Sequence, residues 1–407
     1  MSLKIAMTGL KAASADLAAT SNNIANASTV GFKRSTVNFA DVYSAGGTGS
    51  KLAMGVQIVD TAQQFSQGNI TATDNKMDLS IIGEGFFRMN ASGTTTYTRA
   101  GSFGVDSEGY VINGSGHKLT GFPGNEDNGV EYSQLSDLHI DATDSAPMAT
   151  NKIDLNMNLD SSSVVPAASP FDVNDPTTYS HASSTAIFDS LGGSHLATLY
   201  YSKQEPNVWN IHTVIGDQVV SPPSGDNVEF TSGGTLSAVN GGPSGIFTTS
   251  AFTPAPGTAE MSIEIDIQKI TQFESQSGVN ELSQDGYPAG RLSGIEIDDE
   301  GFIYGRYTNE QLAVRGQIAI TKFRNPQGLA PADDTSWFET SASGEGVVGE
   351  PGNGSLGLIQ SGALEDSNVD ITEELVKIIG TQRNYQANAQ VISVSDTMTQ
   401  TVMNIRR

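Results

Sequence analysis

The chain has no cysteine, few charged residues and no long apolar run. Only 16% of its 407 residues are charged, against about 25% in typical globular domains. The absence of cysteine excludes disulfides, thiol catalysis and cysteine-ligated zinc or iron–sulfur sites. Because no 18 consecutive residues are apolar, we expect no membrane insertion. A cleaved signal peptide needs an apolar segment near the amino terminus. Lys4, Thr8, Gly9 and Lys11 interrupt any such segment, so we also expect no cleaved signal peptide.

Basic residues are the scarcest charged class. The sequence has 21 Lys and Arg against 45 Asp and Glu, which gives a net charge of −24. Such an acidic chain repels phosphate backbones, so no nucleic-acid partner is expected. The length predicts two to three domains at about 150 residues per domain.

The amino terminus carries an apolar repeat of seven residues. Its large members are Leu3, Leu10, Leu17 and Ile24. A second set of mostly small residues lies three positions further on, at Ala6, Ala13, Thr20 and Ala27. This spacing predicts a helix with a coiled-coil seam, in which the small residues allow close approach of a partner helix.

The carboxyl terminus carries a matching stripe. Asp370 and Glu373 have the spacing of a capping box, which predicts that a helix begins there. The stripe then follows at Ile371, Leu375, Ile378, Tyr385, Ala389, Ile392, Thr399 and Met403. A helix of about 35 residues would be roughly 50 Å long. Two such stripes at the extreme ends could belong to helices packed on an ordinary core, but their period and position favour a self-assembling coiled coil.

The interior is typical of strands and turns. Residues 105–111 and 297–303 both place an acidic turn ending in glycine between apolar residues, which predicts two hairpins. Because these similar hairpins are far apart in sequence, we expect one β domain built from two segments. The stretch between them is rich in Ser, Thr, Gly and Pro and predicts an inserted second β domain.

The predicted fold class is therefore α+β, with paired terminal helices and two nested, mainly β domains. Residues 1–30 and 370–407 form the helical part, and residues 31–70 and 361–369 a linker region. The inner β domain comprises residues 71–144 and 285–360. The outer, inserted β domain comprises residues 145–284.

Catalytic and metal-binding patterns are weak. His195, beside an apolar residue in a predicted strand, is interpreted as a packed or surface residue. Asp298, Asp299 and Glu300 could bind calcium or act on a glycoside, but they fit a solvated hairpin turn better. No phosphate-binding loop or nucleophile elbow occurs. We therefore expect no enzymatic activity, no metal site and no cofactor.

Both terminal strings resemble the motifs of the bacterial flagellar rod and hook protein family. The first string, NNIANASTVGFKR, includes Asn22, Asn23, Asn26, Gly31, Phe32 and Lys33. The second string, between residues 361 and 370, includes Gly362, Leu364, Glu365, Asn368 and Asp370. Interior strings such as residues 116–123 and 187–195 are similar to the hook members of the family, so the resemblance spans nearly the whole chain.

The resemblance implies a structural subunit that assembles with copies of itself into a curved helical tube. Such a tube acts as a universal joint between rod and filament in flagellum-dependent motility. It further implies rod, hook-cap and hook–filament junction proteins as partners, type III export and an extracellular location on the flagellum. Phe39 and Tyr43 have the spacing of the family's export-recognition pattern, although a pair packed under a loop would have the same spacing.

Three alternatives remain open on sequence alone. A distal rod protein with an insertion would assemble into a straight structure. A secreted calcium- or carbohydrate-binding adhesive protein would use the acidic turns and exposed aromatic clusters. A secreted glycosidase would use Asp298 or Glu300 and would show turnover.

Overall fold

A computed structural model describes residues 2–45, 51–125, 129–141 and 143–405. These residues form two compact units. The first contains the described residues of Met1–Asp141, Gly294–Arg306 and Leu312–Arg407. The second contains those of Ala142–Ser293 and Tyr307–Gln311.

The α-helices of the described residues are α1 (Ser2–Ala25) and α2 (Ile371–Ile405), and short 3-10 helices occur at Pro176–Thr178 and Pro326–Gly328. The strands up to the start of the second unit are β1 (Ser35–Ala45), β2 (Lys51–Gln63), β3 (Ile70–Ala72), β4 (Leu79–Ile82), β5 (Phe86–Ala91), β6 (Thr94–Thr98), β7 (Phe103–Val105), β8 (Val111–Asn113), β9 (Lys118–Pro123) and β10 (Ser136–Asp137). Those that follow are β11 (Lys152–Asp160), β12 (His181–Phe188), β13 (Ser194–Glu205), β14 (Val208–Ile215), β15 (Gln218–Val219), β16 (Asp226–Phe230), β17 (Leu236–Val239), β18 (Ile246–Thr248), β19 (Glu264–Asp266), β20 (Thr271–Phe273) and β21 (Gly278–Gln284). The last are β22 (Leu292–Ile297), β23 (Phe302–Tyr307), β24 (Leu312–Ile318), β25 (Ile320–Lys322), β26 (Ala330–Pro331), β27 (Ser336–Phe338), β28 (Val347–Gly349), β29 (Leu358–Ser361) and β30 (Ala363–Glu365).

The α+β fold class predicted from the sequence is confirmed. A 24-residue helix opens the chain and a 35-residue helix closes it. The described residues between them are almost entirely strands and turns. The two helices run antiparallel, because Asn23 lies near Glu374 while Asp16 contacts Thr381 further along α2.

The first unit is built around a large sheet that contains both predicted hairpins. Val105 of β7 pairs with Val111 of β8. In the other hairpin, Asp298 accepts backbone hydrogen bonds from Glu300 and Phe302 and turns the chain between β22 and β23. Segments from both sides of the insertion thus share one sheet. An aromatic core beneath it includes Phe86, Tyr97, Phe323 and Trp337, which pack edge to face.

The second unit contains two further sheets. One has β11 at its centre, with β19 and β20 parallel to it and β21 antiparallel. The other is the antiparallel series β12, β13, β14, β16 and β17. Alternate apolar residues of both sheets meet in one core around Trp209, whose indole N–H donates to Gln272 Oε1 at 3.1 Å.

The segment assigned from sequence to a linker contains a two-stranded hairpin, β1 and β2, that lies against α1. Gly55, at φ +109°, leaves room for Thr8, since a Cβ atom there would come within 2.2 Å of the Thr8 hydroxyl. The four-part domain division itself stays a prediction. One difference from it is that residues 307–311, assigned to the inner β domain, pack within the second unit.

Candidate assembly site at the joined termini

The two family-like strings come together beside a short ladder between β3 and β30. Ile70 pairs with Glu365 and Thr71 with Leu364. From the amino-terminal string, the Gly31 amide donates to the Glu365 carbonyl at 2.8 Å. Main-chain hydrogen bonds therefore join segments of the chain that include residues more than 300 positions apart.

A buried ion cluster holds this junction together. The Glu365 carboxylate lies 2.6 Å from Lys33 Nζ and 3.1 Å from an Arg99 guanidinium nitrogen. The side chains of Glu365 and Lys33 are fully buried, and that of Arg99 is 5% exposed. Glu365 also accepts the Gly68 amide at 2.9 Å. One carboxylate thus ties together four segments of the chain.

The cluster holds two cations and one anion, so backbone carbonyls complete its solvation. Lys33 also donates to the Ser66 carbonyl at 2.8 Å, and Arg99 to the Gly83 carbonyl at 2.8 Å. Burial lowers the pKa of Lys33 and of Arg99, and the attraction of Glu365 offsets this only in part. The stability of the junction therefore depends on the single carboxylate.

Asn23 joins α1 to both the following strand and α2. Its side chain accepts the Ser35 amide and donates to the Ser35 carbonyl, both at 2.9 Å. The same amide group lies 3.3 Å from a Glu374 carboxylate oxygen. Asn23 is fully buried, so these contacts satisfy a polar group that would otherwise be costly to bury.

Asn368 makes the equivalent connection from the carboxyl-terminal string. Its Oδ1 accepts the Arg34 amide at 2.7 Å, and its Nδ2 donates to the Gln64 carbonyl at 2.7 Å. The Arg34 guanidinium in turn lies 3.0 Å from Glu373 in the first turn of α2. The exit of α1 is thus fixed to the entry of α2.

Asp370 caps the start of α2, whereas the Glu373 side chain of the expected capping box pairs with Arg34. Its carboxylate accepts the amides of Thr372 at 2.7 Å and Glu373 at 3.2 Å. The hydrogen bonds from Glu373 and Thr372 hold the pKa of this carboxyl below its usual value.

The remaining string residues shape the turns of the junction. Asn26 donates to the Asn22 carbonyl at the end of α1, and the Phe32 amide continues the turn by donating to Thr29. Gly31, at φ +69°, packs so closely on Ala100 that a Cβ atom there would lie 2.4 Å from the Ala100 nitrogen. Gly362 has φ +68° in the turn between β29 and β30, so both glycines occupy a conformation that other residues rarely adopt.

The predicted helix seam divides into two environments. On α1 the small residues Ala6, Ala13 and Thr20 are buried. The larger stripe residues Leu10, Leu17, Ile24, Ile378 and Ile392 are only partly buried. Leu3, Ile371, Leu375, Tyr385 and Met403 are exposed. The structure therefore leaves most of the large apolar members of both stripes accessible.

The two helices meet through polar and small residues. Lys377 lies 3.1 Å from Asp16, and the Thr381 hydroxyl donates to Asp16 at 2.7 Å. Further along, Gly9 faces Asn388, whose side chain would be within 2.7 Å of a Cβ atom at position 9. Beyond this contact, Val394, Thr397, Met398 and Thr401 of α2 line an open, largely apolar groove of about 410 Å³.

Phe39 and Tyr43 lie on β1, away from the ion cluster. Phe39 is 42% exposed and faces Ile58 across the hairpin, and Tyr43 is 56% exposed. Sequence reasoning gave no role to Arg34, Arg99 or Glu374. A signal for them was present, because charged residues are rare in this chain and two of the three lie in or next to the terminal motifs.

The residues that the structure describes contain no group of three His, Asp or Glu side chains placed to hold a metal ion. None of their helices is long and apolar enough to cross a membrane. His195 Nε2 donates to the Asp189 carboxylate at 2.7 Å within a tight turn.

Models of the flagellar rod and hook families match both termini and the interior of the chain. Family models match residues 3–33 (flagella basal body rod protein), 80–164 (flagellar hook protein FlgE/F/G D1 domain), 158–287 (flagellar basal body protein FlaE D2 domain) and 360–405 (flagellar basal body rod FlgEFG protein C-terminal). Together these models span both ends and both β regions.

Full-length relatives are flagellar hook proteins FlgE. The protein of Escherichia coli K12 is 34% identical over 414 residues, with 100% of both chains covered. That of Rhizobium meliloti is 32% identical and covers 100% of this chain and 98% of its own. Among solved structures, Helicobacter pylori flagellar hook protein FlgE2 shares the fold, with a TM-score of 0.53 and 14% identity over 72% of this chain and 100% of that one. The chain belongs to the flagellar hook protein family and is a structural subunit of the bacterial flagellar hook.

Proposed function

We propose that the chain polymerises into a curved helical tube, in which the terminal helices form the contacts between subunits. The observation that carries this proposal is the exposed apolar surface of α2. Val391, Val394, Met398 and Met403 of this helix are all at least 45% exposed. Exposed apolar stripes of this length mark interaction surfaces, and further copies of the same helix pair supply a matching stripe.

The tube is proposed to act as a universal joint that passes torque from rod to filament and to have no catalytic role. The β units suit a joint, because their surfaces are rich in hydroxyl and amide groups. Direct hydrogen bonds between such surfaces can be replaced by water-mediated ones with little change in free energy. Neighbouring subunits can therefore slide as the tube bends. The rod, the hook cap and the hook–filament junction proteins are the partners proposed at its ends.

Electron microscopy of the purified, polymerised chain tests this function. Curved tubes are the expected result. Straight tubes would favour the distal-rod alternative, and calcium-dependent stability without polymerisation would favour the adhesive-protein alternative.

We further propose export through the flagellar type III apparatus, with Phe39 and Tyr43 as a recognition pair. Export machinery needs accessible side chains, and both residues are exposed on β1. Replacing Phe39 with alanine is expected to reduce secretion several-fold without changing the fold of the purified subunit, since Phe39 lies outside the core.

Ile58→Ala is the matched control for Phe39→Ala. Ile58 is the cross-strand partner of Phe39 and is 39% exposed, so its loss perturbs the same hairpin but leaves the Phe-to-Tyr spacing intact. Secretion of the Ile58 variant should be normal when measured by immunoblot of the medium. Normal secretion of the Phe39 variant, or equal loss in both variants, would remove the recognition role.

A further inference from the structure

In the second unit, two chain segments that lead toward the first unit run side by side as an antiparallel ladder. Ser145 and Gly290 exchange main-chain hydrogen bonds at 2.7 and 3.2 Å. Met148 and Tyr287 exchange another pair, both at 3.0 Å. These pairs lie outside the named strands, so the ladder is short and needs support from its surroundings.

The turn between β12 and β13 packs on both segments of this ladder. Gly192, at φ +84°, is so close that a Cβ atom there would lie 3.0 Å from Pro147 and 3.2 Å from the Ala289 nitrogen. Asp189 fixes the shape of the turn by accepting the amides of Leu191 at 2.9 Å and Gly193 at 2.8 Å.

The Asp189 carboxylate is itself held in place. Burial raises its pKa, but hydrogen bonds from His195 and from the Gly193 and Leu191 amides outweigh this, so the pKa lies below its usual value. With its side chain 4% exposed and ionised, Asp189 makes the turn a rigid support.

A second turn, which connects β23 and β24, also forms hydrogen bonds with the ladder. Asn309, in the turn between β23 and β24, donates from Nδ2 to the Pro288 carbonyl at 2.8 Å. Its neighbour Thr308 donates its amide to the Arg291 carbonyl at 2.9 Å and accepts the Arg291 amide on its hydroxyl at 3.0 Å. Segment 287–291 is therefore bonded both to residues 145–148 and to residues 308–309.

We infer that these two turns form a clamp that holds the paired connecting segments as one stiff ladder. The clamp explains why residues 307–311 belong to the second unit although the strands on either side belong to the first. It joins residues 145–148, 287–291 and 308–309 in one hydrogen-bonded group.

Asn309→Asp separates the clamping role from an ordinary turn role. The carboxylate keeps an acceptor for the Gln311 amide, which Asn309 Oδ1 now accepts at 3.3 Å, but it loses the donor to Pro288. In the full-length monomer, amide hydrogen exchange of Tyr287 and Gly290 is expected to become at least tenfold faster. Exchange in β14 of the same unit should stay unchanged.

Asn280→Ala is the control, because Asn280 is an exposed asparagine of the same unit whose side chain makes one long contact. Exchange of Tyr287 and Gly290 should not change in this variant. Gly192→Ala tests the other turn and is expected to accelerate exchange of Met148 as well as Tyr287. Unchanged exchange in both the Asn309 and the Gly192 variants, or equal acceleration in the Asn280 control, would overturn the clamp.

Discussion

Replacing Glu365 with glutamine is expected to lower the free energy of unfolding of the first unit by about 3–5 kcal/mol. Glu365 is the only carboxylate bonded to the buried Lys33 and Arg99 side chains among the described residues. Glutamine preserves the shape but removes the one carboxylate that is bonded to both cations. Removal of one member of a buried ion cluster is costly because the remaining charges cannot regain water.

Lys33→Met is the variant to compare with Glu365→Gln. It leaves Arg99 and Glu365 as a balanced pair, so the loss of stability should be clearly smaller than for Glu365→Gln. Urea unfolding followed by tryptophan fluorescence measures both, since Trp337 lies in the first unit and Trp209 in the second. The urea concentration at the midpoint of the second unit's unfolding, which Trp209 reports, should not change.

A surface pair supplies the control for the Glu365 variant. Glu296 lies 2.9 Å from Lys76, but both side chains are substantially exposed, so Glu296→Gln should change stability little. Equal effects of the Glu365 and Glu296 variants, or a larger effect of Lys33→Met than of Glu365→Gln, would show that the cluster does not hold the junction.

Local patterns in the sequence predicted local structure well. The cap at Asp370, the 35-residue helix after it and the hairpins at 105–111 and 297–303 each depend on residues within a few positions of one another. The chemistry of a turn or a helix start is complete in such a short window. These features therefore follow from the order of the residues alone.

The ion cluster could not be derived in that way. Lys33, Arg99 and Glu365 come from three segments separated by up to 332 residues, and no periodicity links them. The resemblance singled out Lys33 and Glu365 but gave no contact between them. Arg99 joins them only because the ends of β4 and β6 meet next to β30.

Helix burial was the least predictable property. The heptad identified the faces of α1, but the subunit buries the small residues and leaves Leu3 exposed. The hairpin β1–β2 and α2 pack on α1 through Thr8, Asp16 and Asn23, which the apolar pattern does not mark. The role of the large stripe residues as contacts between subunits remains a prediction.

Removing the terminal helices is expected to abolish polymerisation completely while leaving the β units folded. The apolar groove around Val394 and Met398 and the exposed stripe residues are lost with residues 1–30 and 370–407. Lys33, Arg99 and Glu365 all lie outside the deleted segments, so the junction that stabilises the first unit is retained. At its edge the variant loses the contacts of the deleted helices with Ser35, Val56 and Arg34, which Asn23, Thr8 and Glu373 make in the full chain.

Sedimentation and electron microscopy of the full chain beside the form lacking residues 1–30 and 370–407 test the central claim most directly. The full chain should sediment as a polymer and appear as curved tubes. The truncated form should remain a folded monomer with the tryptophan fluorescence of the intact β units. If both forms stay compact monomers under all assembly conditions, or if both polymerise, the terminal helices do not build the tube.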